Sequence, residues 1–429
     1  VLKTLFPFQK IGAAFLTKSR QALLADEPGV GKTVQVLSAV EILNLMRILV
    51  ICPASVISGW IKEIIECLGE GALSRFTIIS YNKAKEYSEV NQSYDALVLD
   101  EAHYLKTPDS QRTQAVFGNE KGLARRAKYV WALTGTPIPN RPRELYPVLK
   151  CLADKYIAPY NTIEKFEQRF CGAYWDGRGM NARGSSHMDD LFQRLNSGFM
   201  LRRTMDEVLP QLPPAVPQII PFKLSEEDRR FIIEAENSIL NREEYISTVM
   251  EDFSQLGDSA SLMKATGLAT VRFATEFVKD QLNTVEKVVV YAWHRDVIFT
   301  LFENLQKFNP VVHMGGLSAA DKDANKLKFM RDPSCRVLIG NIESSGVGLN
   351  GLQEVCRTCV FAEIIWGPGR VGQAVRRLRR LGMDINKGRV NAYILNAEGT
   401  IQDAVLGSNV AKSRVIDFLM GDDLLRGLT

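Results

Sequence analysis

From Ala22 to Thr134 the chain alternates short, predominantly apolar runs with longer stretches whose apolar residues recur at helical spacing. The runs are Ala22–Asp26, Ile48–Cys52, Phe76–Ser80, Ala96–Asp100 and Tyr129–Thr134, and between the first two Val34–Met46 carries the helical pattern. Runs this short, rich in β-branched and aliphatic side chains and apolar on both faces, predict buried strands. Strands joined through helices form a parallel sheet covered on both sides.

Residues 150–208 are richer in aromatic and helix-compatible side chains, and Pro210–Pro217 reads as a linker or extended crossing. Ser225 followed by Glu226, Glu227 and Asp228 is a helix N-cap signature. Ile232, Ala235 and Ile239 keep helical spacing, as do Ala274, Phe277, Val278 and Leu282. Strand patterns return at Lys287–Ala292, Val311–His313, Arg336–Gly340, Thr358–Ala362 and Val390–Leu395. The pattern predicts an α/β protein of two lobes: 1–215, with a helical protrusion near 150–208, and 287–429, with 216–286 as a helical protrusion of the second lobe.

Composition narrows the class. At roughly 150 residues per domain, 429 residues make two or three domains. The 46% apolar and 24% charged fractions are those of an ordinary globular chain, which excludes disorder, collagen-like repeats and coiled coil. No apolar run approaches the ~18 residues that span a bilayer, and Gln9 and Lys10 interrupt the N-terminal apolar stretch, against a secretory signal. Seven cysteines, an odd number, fit a reducing compartment rather than a disulfide framework. The net charge of +4 is uneven: 27 basic and 22 acidic side chains over 1–215, 7 and 13 over 216–286, and 19 and 14 over 287–429. Two basic blocks flank an acidic insert, a distribution that suits a polyanion partner without requiring one.

Candidate chemistry begins at Asp26-Glu27-Pro28-Gly29-Val30-Gly31-Lys32-Thr33, between a strand and a helix. Glycines let backbone N–H groups turn toward a phosphate, and the helix N-terminus adds the positive end of its dipole. Lys32 then reaches the β/γ-phosphates and the Thr33 hydroxyl ligates Mg²⁺. The general phosphate-loop pattern wants Gly where Asp26 stands. Asp100-Glu101-Ala102-His103 closes the run Ala96–Leu99, where a strand-end carboxylate faces such a loop. Asp100 is the expected Mg²⁺ holder, and Glu101 orients or deprotonates the attacking water.

With these motifs the sequence resembles the Swi/Snf group of helicase-like ATPases in superfamily two, nearly end to end. Phe6-Pro7-Phe8-Gln9 resembles the family's adenine-reading glutamine motif, and Asp26 in the phosphate loop is itself family-like. Cys52–Ser55 with Trp60 and Glu63, Ser80-Tyr81, and Leu133–Pro137 followed by Asn140 resemble the next first-lobe motifs. Ser345–Asn350, Trp366–Pro368 and Gln373–Gly382 resemble those of the second lobe, with the two motif arginines at Arg377 and Arg380. Gly184–Ser186, Met200–Arg203, Gln211–Pro213 and Phe361–Glu363 resemble the HARP-type annealing-helicase subgroup. The chain departs from the pattern at Thr107, Pro139, Gly367, Val375, Arg376 and Arg379.

The resemblance implies two tandem RecA-like P-loop lobes with helical insertions, working as an intracellular, monomeric DNA-stimulated ATPase. ATP and Mg²⁺ are the implied cofactors, and double-stranded or branched DNA the partner, with no membrane. Such a motor moves on DNA for fork remodelling or strand annealing, in a nucleus, nucleoid or cytoplasm according to its source. Residues Gln9 and Asp26–Thr33 bind the nucleotide, and Lys32, Asp100, Glu101, Arg377 and Arg380 carry the chemistry, the arginines arriving on lobe closure. His103, Thr134, Thr136, Gly346, Gly348 and Gln373 couple the lobes. Ser55, Ser80, Tyr81, Arg202, Arg203, His294, Arg295 and Ser345 are candidate DNA contacts. Two other readings stand beside this one. An RNA helicase is prompted by D-E-A-H, against which Thr134-Gly135-Thr136 and an arginine-rich helix weigh. An ATP-gated nucleic-acid-binding module without translocation is prompted by the departures at Gly367, Val375 and Arg376. Arg376 and Arg379 read equally well as a solvated helix face, and Cys356 and Cys359, without a second pair at zinc spacing, as buried structural thiols. His187 and His313 read as structural.

Overall fold

In the first unit the apolar runs become strands: β1 (Gln21–Leu24), β2 (Ile48–Cys52), β3 (Phe76–Ser80), β4 (Tyr94–Asp100) and β5 (Ala127–Leu133). The computed structural model describes residues 2–118, 121–138, 141–177, 179–237, 257–342, 349, 351–364, 368–407 and 409. By internal packing the chain divides into a first unit, Val1–Pro210, and a second, Gln211–Thr429.

A small hairpin, β6 (Tyr174–Trp175) with β7 (Met180–Asn181), stands apart from the first sheet, and β8 (Met200–Leu201) completes it. The order is β3-β2-β4-β5-β1-β8, all neighbours parallel. Helices α1 (Pro7–Lys18), α2 (Lys32–Ile42) and α3 (Ile57–Leu68) cover it. Val36, Leu37 and Val40 of α2 and Trp60 and Ile64 of α3 join Val50, Val98 and Trp131 in one core. Each fully buried aliphatic side chain there contributes ~1.5–3 kcal/mol. Because every strand runs the same way, the loops after β1 to β5 all leave from one edge of the sheet, the edge where ligands bind in open α/β sheets.

The second unit repeats the plan with β9 (Ala215–Phe222), β10 (Val288–Ala292), β11 (Val311–His313), β12 (Val337–Asn341), β13 (Thr358–Phe361) and β14 (Val390–Ala397). Its order is β11-β12-β10-β13-β14-β9, again parallel throughout. Among the described residues, no helix is long and apolar enough to cross a membrane.

Three sequence expectations change. Pro210–Pro217 is not simply a linker, since β9 begins at Ala215 and pairs with all of β14. Pro217 and Pro221 are tolerated because β9 is an edge strand, where a missing N–H breaks no ladder on the open side. The piece near 150–208 is not wholly helical, since Met200 and Leu201 within it join the first sheet, pairing with Leu23 and Leu24. The acidic stretch 216–286 is not wholly a protrusion either. Ser225 does cap the helix Glu226–Asn237, its Oγ accepting from Asp228 N at 3.1 Å. The helix Gly257–Leu282, however, places Val271, Ala274, Val278 and Leu282 in the second core beside Val288 and Val290. Residues 238–256 of that stretch lie outside those described.

Candidate functional site

The loop after β1 turns on two glycines with left-handed backbone, Gly29 (φ 94°) and Gly31 (φ 82°), the latter capping α2. Only glycine takes these angles without strain. Lys32 opens the helix and folds back over the loop, its Nζ donating to the carbonyls of Asp26 (2.7 Å) and Glu27 (3.1 Å). Burial pulls the Lys32 ammonium below the usual lysine range, opposed by the carboxylates of Glu101, Asp26 and Asp100. Thr33 is half-buried in the first turn of α2. A Cβ on Gly135 would stand 2.4 Å from Pro28 Cγ, so the loop after β5 packs directly on the phosphate loop.

Asp100 ends β4 beside this loop. Its Oδ2 accepts from Trp60 Nε1 at 2.8 Å, its Oδ1 from Glu101 N at 3.0 Å, and its carbonyl from the Tyr81 hydroxyl at 2.8 Å. Burial, and then the neighbouring Glu101 charge, push the Asp100 carboxyl up to about 6, against the pull of Trp60 and Lys32. A carboxyl strained in this way gains from a cation beside it. Glu101 holds a left-handed backbone (φ 52°) that a non-glycine residue rarely adopts. The His103 ring nitrogen Nδ1 lies 3.3 Å from Glu101 Oε2 and 3.1 Å from Thr134 Oγ1, and Thr134 Oγ1 accepts from Thr136 N at 3.1 Å. Glu101, His103, Thr134 and Thr136 therefore form one polar chain from β4 to β5.

Gln9 is buried against the phosphate loop, its Nε2 donating to Val30 O at 3.2 Å and its Oε1 accepting from Phe6 N at 3.1 Å. These residues fit a magnesium–nucleotide. The glycine loop, Lys32, Thr33 and Asp100 gather at one sheet edge, and Gly31 is so close to Gln9 that a Cβ would meet its amide at 2.6 Å. Among the described residues no group of three or more His, Cys, Asp or Glu side chains could hold a metal ion unaided. A cation here would draw its remaining ligands from phosphate and water, the usual habit of Mg²⁺.

Several expected roles shift. The Asp26 carboxylate is engaged within the protein. It is fully buried in a forked pair with Arg203, whose Nε lies 3.0 Å from Oδ1, and it accepts from Gln35 Nε2 at 3.1 Å. The Glu27 carboxylate likewise accepts from Met205 N at 2.7 Å. Both residues are left to act through their backbone. Arg203 is thus committed to the phosphate loop rather than offered to DNA, and Arg202 donates to Ala25 O at 2.8 Å. Tyr81 is 3% exposed, too buried for a surface contact. Ser55 is exposed in the short helical turn Ala54–Val56 after β2, and Ser80 is half-buried at the end of β3.

In the second unit Arg295 is exposed, while His294 Nδ1 lies 2.6 Å from Glu363 Oε1 and the other oxygen of Glu363 accepts from Trp293 N (2.6 Å) and His294 N (2.9 Å). Gln373 is half-buried on the helix Pro368–Val375. That helix ends before the arginines, which sit in turns where Arg377 N donates to Ala374 O and Leu378 N to Val375 O. Arg376 and Arg379 are 5% and 4% exposed, not a solvated face. Arg379 is buried because its guanidinium finds backbone acceptors, Pro213 O at 2.9 Å and Leu212 O at 3.3 Å. Cys356 and Cys359 are buried thiols. Ser345, Gly346 and Gly348, together with Pro139, Asn140 and Gly367, lie outside the described residues.

Sequence reasoning missed Trp60 as the holder of Asp100, and also Gln35 and Glu363. For Gln35 a signal existed: a polar residue within the apolar face Val34-Gln35-Val36-Leu37 of a helix.

A family model for the SNF2-related domain matches residues 8–95 and 76–268 of the chain. The bovine "DNA annealing helicase and endonuclease ZRANB3" is 28% identical over 96% of this chain and 40% of its own length. The Xenopus tropicalis "SWI/SNF-related matrix-associated actin-dependent regulator of chromatin subfamily A-like protein 1" is 28% identical over 93% of this chain and 43% of its own. The chain therefore spans about two fifths of the curated relatives it matches. Among solved structures, "Sulfolobus solfataricus SWI2/SNF2 ATPase core in complex with dsDNA" matches with a TM-score of 0.44 at 20% identity, covering 100% of this chain and 96% of that one.

Proposed function

Because the chain belongs to the SNF2-related domain family, we propose that it is an intracellular ATP-dependent DNA translocase, hydrolysing ATP to move on double-stranded or branched DNA, with fork remodelling or strand annealing as its output. The observation that carries the reading is the convergence of Lys32, Asp100 and Glu101 at the edge of one sheet, with Lys32 Nζ turned onto the carbonyls of the loop it would leave for a phosphate. The names of the relatives, an annealing helicase and a chromatin regulator, point the same way.

In this reading Gln9 reads the adenine and the backbone N–H groups around Gly29 and Gly31 cradle the phosphates. Lys32 moves from the loop carbonyls to the β/γ-phosphates. Thr33 and Asp100 would hold a magnesium ion, which would supply charge neutralisation at those phosphates. Glu101 orients water for attack on the γ-phosphorus and takes its proton as the bond to the leaving ADP oxygen breaks. His103, Thr134 and Thr136, with Gln373 and the segment of Gly346 and Gly348, carry the state of the site between units. Arg377 and Arg380 stabilise the charge that develops on the phosphoryl group, a contribution of ~10³–10⁵ in rate in other phosphoryl-transfer enzymes. DNA stimulates hydrolysis by favouring the conformation in which it proceeds. Ser55, Ser80, Arg295 and Ser345 are the proposed phosphate-backbone contacts, which carry little sequence information.

The test is ATP hydrolysis without nucleic acid and with single-stranded, duplex and forked DNA and RNA, alongside Lys32→Ala and Glu101→Gln. Duplex or fork stimulation that both variants abolish is the expected result. Stimulation by RNA alone would sink the reading. Hydrolysis without displacement of a triplex-forming strand would count against movement.

A further inference from the structure

Arg203 takes no part in the chemistry proposed above, yet it makes several connections around the phosphate loop. Its Nε and Nη2 fork onto the Asp26 carboxylate, Nη2 also reaches Gln35 Oε1 at 3.1 Å, and Nη1 donates to Phe8 O at 2.6 Å. One guanidinium thereby joins three elements: the phosphate loop, α2 through Gln35, and α1 through the residue next to Gln9. The packing leaves no slack, since a Cβ on Gly12 of α1 would fall 1.6 Å from Gln35 Oε1 and 3.1 Å from Arg203 Nη2. Arginine suits this position because its planar fork holds several acceptors at fixed angles, which a lysine ammonium cannot do.

A glutamine amide offers one acceptor and one donor side by side. That pair matches the adenine edge, an amino donor beside a ring-nitrogen acceptor, and clashes with the two adjacent acceptors of guanine. The match works only if the amide stands at one angle and depth. Gln9 is carried by α1, whose first turn is tied to the phosphate loop twice: by Gln9 itself, bonded to Val30 O, and by Arg203, bonded to Phe8 O.

We propose that Arg203 is a positioning residue for base selection: by locking α1 against Asp26 and Gln35 it fixes Gln9 where it distinguishes adenine from guanine nucleotides. The proposal rests on the nucleotide reading of the site. It also assigns the carboxylate at the first position of the phosphate loop a task, as the anchor for Arg203.

The experiment is equilibrium binding of fluorescent ADP and GDP, without DNA, to the wild type and to Arg203→Met, Arg203→Lys and Gly12→Ala, with thermal unfolding recorded for each. The wild type is expected to prefer ADP. In Arg203→Met the ADP-to-GDP preference should fall by about tenfold, the scale of one well-made hydrogen bond, while GDP binding changes little. Arg203→Lys should recover thermal stability, because the charge beside Asp26 is kept, without recovering the preference. Gly12→Ala, which displaces the clamp while favouring the helix, should lose the preference as well. Equal losses for ADP and GDP, or a preference that survives in Arg203→Met and Gly12→Ala, would overturn the proposal and leave the nucleotide reading standing. A wild type that binds neither nucleotide would overturn both.

Discussion

The two units place equivalent strands to opposite uses. β1 and β14 each stand fifth in a parallel sheet of six, next to an edge strand, β8 or β9. After β1 the chain turns on Gly29 and Gly31, and the groups it satisfies internally are carbonyls, held by Lys32. After β14 it turns on Gly399, and the groups it satisfies are donors: Gln402 Oε1 accepts from Ala397 N at 3.0 Å, and Asp403 accepts from Gly399 N at 2.6 Å and Asn396 Nδ2 at 2.7 Å. One loop holds a cation over its oxygens; the other places a carboxylate where an anion would have to sit. The scaffold fixes where a ligand goes, and a handful of loop side chains decide whether one goes there at all.

The strongest way to break this contrast is Lys32→Ala, expected to lower ATP turnover by about 10²–10³-fold, as loss of a preorganised charge-stabilising donor does. If hydrolysis survives, the first loop is not the phosphate site. Acidification sharpens the contrast from the other unit. Burial, with Lys322 next, pushes the His313 imidazole down to about 4 from an ordinary 6.5. His313 is therefore neutral when folded, and its stabilisation is complete above pH 6.5. That stabilisation drains away between 6.5 and 4, as the unfolded chain takes up a proton the folded one refuses, roughly 3 kcal/mol in all. Melting temperatures followed from pH 7 to 4 should fall less steeply in His313→Gln. Next in size, Gln402→Ala should destabilise the chain by ~1–3 kcal/mol by leaving the buried Ala397 N–H unmet, with nucleotide affinity unchanged in a binding titration. A drop in affinity would mean the second loop serves the ligand after all. The smallest expected effect is that of Trp60→Phe, which keeps the ring but deletes the donor to Asp100. The magnesium concentration giving half-maximal nucleotide binding should shift severalfold, about 1 kcal/mol for one hydrogen bond.

Much of this was legible in the sequence because it is local. Strands buried on both faces announce themselves as unbroken apolar runs, and Gly-Val-Gly-Lys-Thr after such a run defines a phosphate loop within a few residues. The edge strands were hidden for opposite reasons. Met200–Leu201 is too short to show a period, and Ala215–Phe222 carries two prolines that only an unpaired edge forgives. Charge was misleading where its partner lies far along the chain. Arg376 and Arg379 read equally as solvent-facing until the carbonyls of Leu212 and Pro213 are brought to Arg379. Arg203 read as a DNA contact until Asp26 is brought to it, and Trp60 meets Asp100 across forty positions. A pattern of residue types fixes periodicity; it does not fix which distant polar groups will satisfy one another.

The distance between Asp26 and its guanidinium, 177 positions, bears on the order in which the protein is born. Asp26 leaves the ribosome early, yet the cation that makes its burial tolerable arrives only after β8 has been synthesised. A chain halted before Met200 would have to bury the Asp26 carboxylate with Gln35 as its neutral partner or keep its phosphate loop open, and a buried charge that has lost its counter-ion costs ~3–5 kcal/mol. If the loop binds nucleotide as proposed, its assembly waits for the last strand of the first sheet, and a chain cut before Met200 is expected to bind none.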